Sequence, residues 1–128
     1  MPFNIIVGLL ALLVALVLYT IAVWAAFVAK RVKVWHVVAL WAGVAFDMLA
    51  TGMMALQIGG FAADLHTLLA MLVWAGMVAV SAVATRALVK SDVALSAKVA
   101  RWSTVPWLLW VAVLVWGMVE RGAARMGG

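Results

Sequence analysis

Cysteine is absent from this 128-residue chain. Its absence excludes disulfides, thiolate metal sites and cysteine nucleophiles. Charge is scarce: only 10% of residues are Asp, Glu, Lys or Arg, against 70% in the hydrophobic set. A soluble domain of this length keeps about a quarter of its residues charged. So few charges cannot cover a water-facing surface, and lipid is therefore the solvent for most of the chain. The net charge of +5 has no Gly-rich phosphate loop and no basic helix with interleaved aromatics beside it, so it does not signify nucleic acid. A Ser-His-Asp set, a paired-carboxylate site, zinc-ligand spacing and an internal repeat are all missing. The length suits a single membrane domain, residues 1–128.

What is present is four apolar runs, at about 5–29, 34–57, 65–85 and 104–119. Each is near the roughly 20 residues a helix needs to cross the hydrocarbon core, the fourth being short. The runs are continuous rather than alternating, which favours helices over barrel strands. The expected fold is therefore an all-α bundle of four transmembrane helices. Lys30, Arg31 and Lys33 separate the first two runs. Gly59-Gly60 ends the second, and Asp64 is placed to cap the third. The stretch 86–103 mixes Leu88, Val89, Leu95 and Val99 with Lys90, Lys98 and Arg101, the pattern of a short amphipathic helix on the membrane surface. Ser103 or Thr104 is the expected cap of the last run, with Pro106 in its first turn, where a missing N–H is tolerated. The loops at 30–33 and 86–103 hold most of the basic residues, whereas the opposite side holds only Arg121 and Arg125. The positive-inside rule makes those two loops cytoplasmic and both termini extracytoplasmic. The first run is too long for a signal-peptide core and lacks a basic leader, so it reads as a retained span.

Few polar side chains interrupt the spans. The second carries His36, Asp47 and Thr51. At about 100° per residue, positions 36 and 47 fall within about 20° of each other. Ala39, Gly43, Asp47 and Thr51 follow at four-residue spacing, and small residues so spaced admit a close neighbouring helix. Asp47 is near mid-span, where an ionised carboxylate costs about 2.5–3.5 kcal/mol on insertion scales. No Lys or Arg lies at that depth, so its partners must be neutral donors. Counting from the cytoplasmic ends puts Tyr19 and Trp74 level with it, and Thr51 is one turn away. Asp47 then reads either as a hydrogen-bonded clasp or as a carboxyl handling protons, ions or a cofactor.

His36 opens the second span and is expected at the interface. His66 opens the third on the opposite side, so one haem cannot bridge the two across roughly 30 Å of bilayer. His66 with Met53 or Met54 is the feasible ligand set, suited to haem or copper. Methionine is also a common packing residue.

The segments "LVLYTIAVW", "KVWHVVALWAGVAFDMLATGMM", "LHTLLAML" and "VPWLLWVAVLVWGM" together resemble the HsmA family of small bacterial membrane proteins. The resemblance rests on the order of Tyr19, Trp24, Trp35-His36, Trp41, Gly43, Phe46-Asp47 and His66. It implies a four-helix integral membrane protein of the bacterial inner membrane, and no particular reaction. Family members carry further histidines late in span three and before span four. Here "VWAGMVAVSAV" and "SAKVARWST" have none, which weakens a haem reading. Three functions remain in view. The first is a non-enzymatic bundle that self-associates or serves as an accessory subunit of a membrane complex. The second is a redox protein binding haem, copper, a quinone or a pigment at Asp47 or His66. The third is a proton or ion pathway through Asp47.

Overall fold

The computed structural model describes residues 3–58 and 65–127, with side chains described over 6–53 and 68–119. The chain forms α1 (Phe3–Ala29), α2 (Val34–Ile58), α3 (Leu65–Val89), α4 (Val93–Trp102) and α5 (Thr104–Gly127). Four candidate spans are long and apolar enough to cross a membrane, and no strand occurs among the described residues. The all-α four-helix expectation holds, and α4 is the short helix expected between spans three and four. The expected helix end at Gly59-Gly60 and the cap at Asp64 lie outside the described residues.

The turn at 30–33 is short because its backbone donors are satisfied locally. Lys30, in the left-handed region at φ 60°, donates its N–H to the Phe27 carbonyl. The Val32 N–H donates to Ser96 Oγ at 2.8 Å, and the Lys33 N–H donates to His36 Nδ1 at 2.9 Å. Lys33 is the N-cap of α2, since its carbonyl accepts from the Val37 N–H. His36, at the third helical position, reaches back to the cap as a glutamate does in a capping box.

The corner between α3 and α4 follows the same logic. Ser91 takes φ 49°, its N–H bonds the Leu88 carbonyl, and the Asp92 N–H bonds the Ala87 carbonyl. Those two bonds are a Schellman motif. They explain why α3 runs to Val89 rather than stopping at Thr85: the end is set by this turn, not by the limit of apolar sequence. Asp92 then caps α4, its Oδ1 accepting from the Leu95 N–H at 3.0 Å. The expected caps of the last span behave otherwise. Ser103 keeps helical angles, and both hydroxyls turn back, Ser103 Oγ toward the Ala100 carbonyl and Thr104 Oγ1 to that of Arg101. The Trp107 N–H finds the Ser103 carbonyl, so α4 runs nearly continuously into α5 and leaves few N–H groups for a cap.

α1 and α2 form the most extensively packed pair. Ala11, Ala15, Ala22 and Ala26 on α1 are buried, as are Ala39, Gly43 and Ala50 on α2. Small side chains let the two backbones approach, the driving force available where lipid is as apolar as the core. Among the described residues, α2 also packs on α3, α3 on α5 and α5 on α1, whereas α2 and α5 make no direct backbone approach. The four long helices therefore form a ring with α2 and α5 on a diagonal. The interior is filled by Tyr19, Met77, Ser81 and Trp110, all at most 4% exposed.

Candidate functional site

Asp47 sits at the centre of this ring, 5% exposed. Its Oδ2 accepts two hydrogen bonds. Tyr19 OH donates from α1 at 3.2 Å, and Trp110 Nε1 donates from α5 at 2.9 Å. The Tyr19 and Trp110 rings meet edge to face, with centroids 5.1 Å apart and planes at 84°. That contact holds both donors on one side of the carboxyl. Oδ1 accepts no hydrogen bond among the described residues. Trp110 closes the diagonal that the α2 and α5 backbones leave open, and tryptophan supplies the reach.

Gly43 makes room for Tyr19. A Cβ at Gly43 would lie 2.7 Å from both Cδ1 and Cε1 of the tyrosine ring. The ring therefore lies against the α2 backbone one turn before Asp47, and its hydroxyl reaches the carboxylate. Ala39, a turn earlier, is buried on the same face. The small-residue line on α2 thus serves the site directly.

Two of the expected partners take other roles. Trp74 Nε1 donates to the Val44 carbonyl at 3.4 Å, not to Asp47. Thr51 Oγ1 donates to the Asp47 backbone carbonyl at 3.0 Å, not to its carboxylate. A threonine four residues on, in a helix, has the preceding turn's carbonyl closer to hand than a side chain directed away from it. Tyr19 is in the expected place. Trp110 was missed because it is the seventh residue of α5 whereas Asp47 is the fourteenth of α2. Counting from the helix start sets it too shallow, but α5 does not start at the membrane surface; it continues from α4. The available signal was spacing: Trp107 and Trp110 share a helix face, and both donate inward.

Other indoles do the same work. Trp107 Nε1 donates to Thr20 Oγ1 at 3.1 Å, tying α5 to α1. Trp41 Nε1 donates to Thr85 Oγ1 at 2.9 Å, tying α2 to α3. Thr85 and Ser81 in turn donate to carbonyls one turn back, Ser81 and Met77. These tryptophans are inter-helix ties rather than an interfacial belt, whereas Trp35 and Trp102 are 48% and 58% exposed.

His36 is expected at the interface, yet its side chain is 1% exposed. Its Nδ1 accepts from the Lys33 N–H, so a neutral ring carries its proton on Nε2. Neither nitrogen then offers a lone pair to a metal while the cap is intact. The side chains of His66 and Met54 lie outside the described residues, and Met53 is half-buried. No cluster of three or more His, Asp or Glu suited to a metal ion occurs among the described residues. No protein-family model, curated protein or solved structure matches the chain.

Proposed function

We propose that this chain is a non-enzymatic subunit of the bacterial cytoplasmic membrane, assembling through its helices with copies of itself or with a larger membrane complex. The carrying observation is how the central acid is used. Asp47 holds neutral donors from α1 and α5 on one oxygen, which is what a clasp between helices requires. The outer faces of the spans favour assembly. A groove of about 580 Å³ between α3 and α5 is lined by Leu72, Val73, Gly76, Pro106 and Leu109, among others. Gly76 and Pro106 face each other at one end of the groove and leave it without bulk there, where another helix would pack closely. The resemblance to the HsmA family agrees with this class of protein. Native mass measurement after gentle extraction from the membrane tests the reading. An oligomer or a stable companion protein is expected, and a lone monomer with no companion overturns it.

A proton or ion pathway through Asp47 is the second reading, favoured by an Oδ1 that accepts no hydrogen bond among the described residues. Under it, Asp47→Asn abolishes flux in proteoliposomes; equal flux in both proteins, or none in either, removes it. A redox role for His66 with Met53 or Met54 is tested by the visible spectrum and metal content of the purified protein.

A further inference from the structure

The end of α1 and the outer side of α4 enclose a cleft of about 460 Å³, lined by Phe27, Lys30, Ala97, Lys98 and Arg101. Three of those five residues are cations, and none of them makes an ion pair among the described residues. The described acids are spent elsewhere: Asp92 caps the start of α4, and Asp47 is in the bundle centre. Lys98 and Arg101, three apart on α4, project from one helix face. Lys30 comes from a different element, the turn after α1, and is held at φ 60°. The Ser96 hydroxyl accepting from the Val32 N–H fixes α4 against that turn, so cations from two elements line one cleft. Arg101 also lies 5.3 Å from the centroid of the exposed Trp102 ring. Phe27 gives the cleft an apolar wall at the end of a membrane span.

We propose that this cleft binds a phosphate-ester anion, the headgroup phosphate of an anionic membrane lipid. Two ammonium groups and one guanidinium more than balance the single negative charge of a phosphodiester, and the guanidinium fork matches its oxygens. Phe27 receives the upper part of the acyl chain. The cleft lies at a span end between two basic segments, the setting in which such headgroups are bound. A free phosphate offers the same oxygens without the apolar portion.

Lysine acylation of the full-length protein tests the site, with Lys33 and Lys90 as references outside the cleft. Three preparations are compared: phosphatidylcholine vesicles, the same vesicles containing phosphatidylglycerol, and phosphatidylcholine vesicles with inorganic phosphate. Phosphatidylglycerol should protect Lys30 and Lys98 more than Lys33 and Lys90. Arg101→Gln, an exposed change that leaves the fold intact, should weaken that selective protection by about fivefold. Selective protection by inorganic phosphate but not by phosphatidylglycerol keeps the anion site and overturns a lipid as its occupant. Equal protection of all four lysines, or none, overturns the site itself, as does an Arg101→Gln protein that behaves as the parent.

Discussion

Asp47 illustrates how a carboxylate is tolerated in a lipid-facing protein: two neutral donors share one of its oxygens. Asparagine keeps an oxygen for the same two donors, whereas leucine leaves both buried and unpaired. Membrane hydrogen bonds average about 0.6 kcal/mol, with a maximum near 1.7, while an orphaned buried polar group costs about 1–3 kcal/mol. Asp47→Asn should therefore lower the unfolding free energy by about 1 kcal/mol or less, and Asp47→Leu by about 2–4 kcal/mol. SDS-driven unfolding of the purified proteins reads the difference; equal loss in both would contradict the clasp. Glycine gives a second contrast at the same scale. A Cβ at Gly43 would press the Tyr19 ring at 2.7 Å, whereas at Gly52 it meets nothing within 4 Å. Gly43→Ala should cost about 1–3 kcal/mol by overpacking. Gly52→Ala should be neutral or stabilising by up to about 1 kcal/mol, on the same unfolding assay.

At the scale of elements, the turns at 30–33 and 90–92 govern how α4 is set against the bundle. Ser96 is the only partner of the Val32 N–H among the described residues. Ser96→Ala leaves that buried N–H orphaned and should destabilise the protein by about 1–3 kcal/mol. Amide exchange at Val32 should rise in the same variant. Ser91 holds φ 49°, a conformation glycine adopts without steric cost. Ser91→Gly should raise the thermal midpoint, equivalent to about 1 kcal/mol, by relieving the steric cost of a Cβ in that conformation. The elements were largely readable from hydropathy: four long apolar helices, and a short helix before the last, fall where the apolar and amphipathic patterns put them. Their ends were less so. α3 outlasts its apolar run because a Schellman turn closes it, and the break at Ser103 is slight because the helix scarcely stops. The site was half legible. Tyr19 and the small residues of α2 follow from depth and spacing along single helices. Trp110 depends on which helices face each other across the ring, and one helix's pattern does not encode that.

For the whole molecule, orientation is the property most open to direct measurement, because the chain has no cysteine to mask. A single cysteine replacing Ser91 should react with an impermeant maleimide only in inverted membrane vesicles. One replacing Ala124 should react in intact spheroplasts. The opposite pattern would reverse the assigned topology.

The diagonal tie between Asp47 and Trp110 also has a history in time. The two residues are separated by 63 positions, whereas Tyr19 precedes Asp47 by 28. During synthesis the first hairpin enters the bilayer with its acid held by tyrosine alone. The indole that completes the pair arrives only with the last helix. Without α5, the Asp47 carboxyl keeps one of its two donors. A chain that stops before α5 should be degraded faster than the full-length protein, and Asp47→Asn should slow that loss.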